Sequence, residues 1–175
     1  AQMSQSGKLI NKDSAKIFDA LIQTIENDKE TDKVLSRTLE ALGYFSDQQV
    51  DHKLNQFHRD KNPLLRQSAI FAMGRNAKQK WLDIILDDLS DENPAIRFEA
   101  LNAVGFLGDE STVPDITPFT KDADLQIKVA AITSLGHIGG ELAKREILTW
   151  IEDDDENIRD AAQNALTDID FEQDP

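Results

Sequence analysis

Residues 93–116, NPAIRFEALNAVGFLGDESTVPDI, and residues 124–148, DLQIKVAAITSLGHIGGELAKREIL, are one unit written twice, 31 positions apart. Outward from this pair the same register continues. Val34, Leu65, Ile96, Ile127 and Ile158 form one column, and Thr31, Asn62, Asn93, Asp124 and Asp155 form another. Thr38, Ala69, Ala100, Ala131 and Ala162 form a third, and Gly43, Gly74, Gly105 and Gly136 a fourth that closes with Thr167. A fixed period of about 20–50 residues is what a stacked helical array leaves in sequence. The expected fold is all-α, an α-solenoid of about five helical hairpins.

Each column has a physical role. Thr, Asn or Asp accepts hydrogen bonds from the orphan N–H groups of a helix's first turn, and Pro63 and Pro94 follow where a missing N–H costs nothing. Apolar residues at offsets of three, four and seven (Ile96, Ala100, Val104, with Leu101 and Leu107) then predict a helix of roughly 14–15 residues, here termed the B helix. The glycine near its end costs about 1 kcal/mol in helix propensity, and close approach of another helix is the expected compensation. Less regular A helices fall between. They are marked by Ile17, Leu21, Ile22 and Ile25; by Val50, Leu54 and Phe57; by Leu82, Ile85, Leu86 and Leu89; by Val113, Ile116 and Phe119; and by Ile147, Leu148 and Ile151. Pro118 is expected to kink the fourth.

These two stretches resemble HEAT-like repeats of the short bacterial type named after phycobilisome lyases, through the Asn/Asp start, the basic residue, the alanines and the Leu-Gly pair. The likeness covers about residues 13–170 and implies repeats near 13–45, 46–76, 77–107, 108–138 and 139–170. It also implies that Asp60, Asp91, Asp122 and Asp153 form a ladder between neighbouring repeats with Arg66, Arg97, Lys128 and Arg159. The first repeat, with Lys29 and Leu35 at those positions, departs from the pattern, as terminal units do. Residues 1–12 match no repeat and are expected to be a flexible lead-in or an expression remnant, and 171–175 an acidic tail. The chain opens at Ala1, so a processed or truncated start is expected, with a longer parent protein as one reading.

With 175 residues, 39% of them apolar, there is enough hydrophobic sequence for one continuous core. No apolar run approaches the ~18–20 residues that span a bilayer, so no membrane insertion is expected, and a cytoplasmic location is the expectation. Cysteine is absent, which removes disulfides and thiolate chemistry. The net charge of −14 is concentrated at one end: residues 141–175 hold three basic against twelve acidic residues. Its run Glu152–Glu156 reads as a solvated cap favoured by the helix dipole, with a docking site for a basic partner or a weak cation site as the alternative. A duplex requires clustered Lys and Arg, and the basic column here is matched by an acidic one, so nucleic acid is not the expected partner.

Catalytic residue types are few. His52 and His58 lie about 120° apart around one helix, unlike the i, i+4 pair of a helical metal site, and His137 is two repeats away. The HEAT-like enzyme deoxyhypusine hydroxylase carries His-Glu dyads that hold a di-iron centre. The matching positions are Gln67-Ser68, Phe98-Glu99, Val129-Ala130 and Asp160-Ala161, of which only Glu99 fits. Ser68 and Ser134 occupy small-residue columns that packing explains, and the glycines are spaced by the repeat instead of clustering into a phosphate loop. No metal, cofactor or catalytic residue is expected.

The outward stripe of the B helices is where the repeats diverge. Its candidate binding residues are Tyr44, Phe71, Arg75, Phe98, Asn102, Phe106, Thr133 and His137. On a concave B-helix face the rings would form an apolar patch of roughly 300–600 Å², enough for a binding surface. The alternative is that Phe71 and Phe98 pack between adjacent B helices. The expected function is a non-catalytic scaffold or adaptor that holds a protein or peptide segment, with Phe98 and Phe106 as anchors. The resemblance adds a bilin lyase subunit as a second reading, and a structural or regulatory segment of a larger protein is the third.

Overall fold

The computed structural model describes the backbone of residues 2–172 and the side chains of 13–169, and among these residues every regular element is helical. The chain divides into two compact units, residues 1–72 and 73–175. In the first unit α1 (Gln2–Ile25) precedes α2 (Asp32–Leu42), α3 (Gln48–His58) and most of α4 (Pro63–Asn76). In the second, α5 (Leu82–Asp88), α6 (Pro94–Leu107), α7 (Val113–Ile116), α8 (Leu125–Ile138), α9 (Gly140–Leu148) and α10 (Glu156–Glu172) follow the end of α4. The B helices are α2, α4, α6, α8 and α10. Residues 2–12, expected as a lead-in, belong to α1. They contain no proline, so nothing in them stops a helix that the repeat columns do not reach. Of the acidic tail, residues 173–175 lie outside the described residues.

All five capping residues act as expected. Thr31 accepts from the N–H of Val34, Asn62 from Leu64, Asn93 from Ala95, Asp124 from Gln126 and Asp155 from Asn157. Such a cap contributes about 1 kcal/mol. The aspartate column adds a second local bond. Asp60 Oδ1 accepts from Asn62 N at 2.8 Å, Asp91 from Asn93 and Asp122 from Asp124 at 2.8 Å, and Asp153 from Asp155 at 2.9 Å. Arg97 and Arg159 donate to the carbonyls of residues 91 and 92 and of 153 and 154, in their own turns. These two residues therefore tie down the start of their own B helix, where a ladder to the neighbouring repeat was expected.

The B-helix ladder forms the core: Leu65, Ile96, Ile127 and Ile158 are buried, as are Leu39, Ile70, Leu101 and Ile132. Each large aliphatic side chain contributes roughly 1.5–3 kcal/mol on burial. Val34, the first rung, is 40% exposed, as suits the first B helix of the array. The A helices bury Ile25, Val50, Leu54, Phe57, Ile85, Leu89, Val113, Ile116 and Ile147, whereas Ile17 and Leu148, expected in the same seams, are exposed. In α9 the buried stripe is Ala143 and Ile147, an i, i+4 pair, which turns Leu148 outward. Trp81, unmarked by the repeat, is fully buried with its indole N–H donating to Asn76 Oδ1 at 3.2 Å.

The glycine column does what its spacing implies. A Cβ added to Gly43 would lie 2.8 Å from Ala72 Cα, to Gly74 3.0 Å from Ala103, to Gly105 3.1 Å from Ser134, and to Gly136 2.7 Å from Ala165. Each glycine therefore faces a small residue 29 positions on, in the next B helix.

The fourth A segment is broken more thoroughly than a kink. Pro114 and Pro118 leave only the single turn of α7, with 3₁₀ turns at Glu110–Thr112 and Thr117–Lys121. At the next junction Gly139 and Gly140 take φ values of 70° and 83°, and Glu110 Oε1 accepts from Leu142 N at 2.8 Å. The α9 cap thus comes from the preceding repeat, and a side chain at residue 140 would meet the Glu110 carboxyl.

Two outcomes test this account. Gly136→Ala should lower unfolding free energy by up to about 2 kcal/mol in urea titration, since overpacking of about 1–3 kcal/mol is offset by only ~1 kcal/mol of propensity gain. Gly105→Ala, with a looser neighbour, should cost less. The Asp155 carboxylate is held below its ordinary pKa, first by the Asn157 side-chain amide and then by the Asn157 N–H. That stabilisation is present above the ordinary aspartate value of about 4 and is lost as pH falls through the lower folded value. Acid melts of Asp155→Asn should show a shallower loss below about pH 4, because asparagine caps without titrating.

Candidate functional site

The glycines set the geometry of the outward stripe, because the residue that follows each one is a stripe residue: Tyr44, Arg75, Phe106 and His137. In the second unit the backbones of α4, α6 and α8 are so close at these points that successive side chains meet face to face. The Arg75 guanidinium carbon lies 4.6 Å from the Phe106 ring centre. The His137 imidazole stacks on the same phenyl at 5.2 Å with 21° between planes. Arg75 and His137 come from the B helices before and after α6, and Phe106 remains 46% exposed. A guanidinium over a ring is worth about 0.5–1 kcal/mol at an exposed site, and ring stacking a comparable amount. The phenyl is thus exposed and also held in place.

Except for Tyr44, the rest of the stripe is more covered. Phe98, Asn102 and Phe106 share one face of α6 at i, i+4 and i+8, and Thr133 precedes His137 by one turn on α8. Phe98, Asn102 and Thr133 are half-buried. In the first unit Tyr44 is 70% exposed and Phe71 half-buried. Phe71 and Phe98 therefore fall between the two expectations, neither free rings nor core. The structure brings together Arg75, Phe106 and His137, flanked on α6 by Phe98 and Asn102.

The serine columns carry more than packing. In the first unit the hydroxyls of Ser36 and Ser68 are 2.8 Å apart, and Ser68 donates to Glu40 Oε1 at 3.2 Å, while Arg37 holds Glu40 Oε2 at 2.6 Å. In the second, buried Ser134 donates to the carbonyl of Leu101 at 2.7 Å. These bonds stitch neighbouring B helices where the side chains are small enough to let them approach. His52 is exposed and His58 half-buried on α3, and among the described residues no group of three or more His, Cys, Asp or Glu could hold a metal ion. No helix of the described residues is long and apolar enough to cross a membrane.

Sequence reading passed over a concavity away from the stripe. A groove of about 810 Å³ runs between the broken fourth A segment and α9, with Val113, Pro114, Pro118, Leu142, Lys121 and Arg145 along it. Its signal was the pair of prolines four residues apart.

Residues 50–124 match the family model described as HEAT repeats. No curated protein sequence matches the chain. Among solved structures, the chain resembles one from the complex of CpcE and CpcF of phycocyanin lyase from Nostoc, with 17% identity and a TM-score of 0.67. That alignment takes in 85% of this chain and 63% of the other, so the chain spans less than two thirds of that length. A designed armadillo repeat protein in complex with the peptide (KR)4 aligns with a TM-score of 0.59 at 14% identity, covering 89% and 84% of the two chains. Human deoxyhypusine hydroxylase aligns at 0.53 and 14% identity, covering 90% and 75%. With capped B helices recurring every 31 residues, glycines seating each one on the next, and a family match across 50–124, the chain is a HEAT-like repeat protein of the α-solenoid class.

Proposed function

We propose that this chain is a non-catalytic scaffold or adaptor that holds a protein or peptide segment on the B-helix stripe of its second unit. The observation that carries the reading is Phe106, a large ring left 46% exposed yet fixed by Arg75 and His137. A ring already ordered loses little conformational entropy when a partner covers it, which is how a few aromatic residues come to dominate an interface. Phe98 is the second anchor, about two turns away on the same face of α6, and Asn102 and Thr133 supply the polar rim. The designed armadillo protein with its bound peptide supports the reading by analogy of fold.

A second reading, a subunit of a bilin lyase, draws on the likeness to the phycocyanin lyase complex. It requires a bilin to associate with the purified chain or with the chain and its partner. A visible absorbance band that co-elutes with protein after mixing supports it, and free bilin alone in the included volume sinks it.

The scaffold reading is tested by affinity capture from native-host lysate with wild type, Phe106→Asp and Phe98→Asp/Phe106→Asp chains. Phe106 is exposed, so its single substitution should cost no more than about 1–2 kcal/mol of unfolding free energy, the worth of its contacts with Arg75 and His137, while removing the captured partner. A partner held equally by all three chains would overturn the assignment of the stripe.

A further inference from the structure

The groove beside α9 is lined by none of the stripe residues. Its origin is local. An intact fourth A helix would pack its ridges into those of α9, but Pro114 and Pro118 convert most of the segment to 3₁₀ turns, whose side-chain rows do not match. The space left is floored by Val113, the two prolines and Leu142, which is 45% exposed. It is open, unlike the enclosed cavities that bury most of a small ligand, and so suits one side of an extended chain.

Charge selects the occupant. Of the nine Lys and Arg residues of the second unit, seven have a hydrogen bond, ion pair or ring contact among the described residues; Arg97 and Arg159 hold turn carbonyls, and Lys128 lies over Trp150. Lys121 and Arg145 have none among those residues, and both line this groove. The neighbouring carboxylate, Glu146, is already engaged, its Oε1 accepting from Thr120 and from the Trp150 indole. Two exposed cations, unpaired among the described residues and beside an apolar floor, in a chain of net charge −14, complement a short segment that is both acidic and apolar. A large acidic partner would be repelled at long range, which restricts the match to a segment.

We propose that the groove between the fourth A segment and α9 docks an acidic peptide segment of a partner protein, its Asp or Glu side chains on Lys121 and Arg145 and its Leu or Phe side chains on Pro114, Pro118 and Leu142. The probe is a random peptide display library panned on the wild-type chain, with Lys121→Glu/Arg145→Glu as counter-selection. Enriched peptides are then labelled with fluorescein and titrated by anisotropy. The expected winners combine Asp or Glu with Leu or Phe, bind the double variant roughly tenfold or more weakly, and weaken as salt is raised. Phe106→Asp should bind them unchanged, which separates this site from the stripe. Winners that are basic, winners that bind the double variant as tightly, or no enrichment over the variant would each overturn the proposal. Both side chains are exposed and have no partner among the described residues, so the melting temperature should hold; Lys121→Gln/Arg145→Gln serves if charge reversal unfolds the chain.

Discussion

The contact between each B-helix glycine and a small residue of the next B helix is the constraint on which the second unit depends. At Gly74, Gly105 and Gly136 the backbones meet Ala103, Ser134 and Ala165 so closely that a methyl group would have to displace something. This approach brings the Ser134 hydroxyl within 2.7 Å of the Leu101 carbonyl and sets the Arg75 guanidinium and the His137 ring against Phe106. A wider interhelical spacing would leave the same side chains as separate surface residues. The helix-propensity cost of glycine therefore sustains both the packing and the exposed stack.

The B helices were legible because their constraints are local and periodic. A cap such as Asn93, a buried rung such as Ile96 and a glycine such as Gly105 each require a particular residue type every 31 positions. The A segments were less so, because burial there is shared among residues that differ from repeat to repeat. Nothing in the period marks Trp81 as core, and the exposure of Leu148 follows from which face of α9 Ala143 and Ile147 occupy. The role of Arg97 was misread for a similar reason: spacing places a basic residue near an acidic column but does not distinguish the carboxylate from the carbonyls of the same turn.

The candidate stripe was half legible. The outward stripe named Arg75, Phe106 and His137 from sequence, yet their stacking depends on the glycines one residue earlier, a link visible only once the close approach is known. Phe71 and Phe98 came out half-buried, each lying earlier on its B helix than the residue that follows the glycine. The groove beside α9 was missed because it arises from a failure of helix formation, and a search for repeating features does not register what one repeat lacks.

The bond from Glu110 to the first turn of α9 has a consequence for how the array comes apart. Solenoids fray from their ends, each terminal hairpin opening with little regard to its interior neighbours. Here the first helix of the last hairpin is capped by a carboxylate from the repeat before it, through a Gly139-Gly140 hinge that leaves room for that carboxylate. Peeling α9 away would strip the Leu142 N–H of its partner, which joins the last two hairpins into a single opening unit. Amide protons of α9 should then exchange at the pace of α8 instead of leading as a loose end.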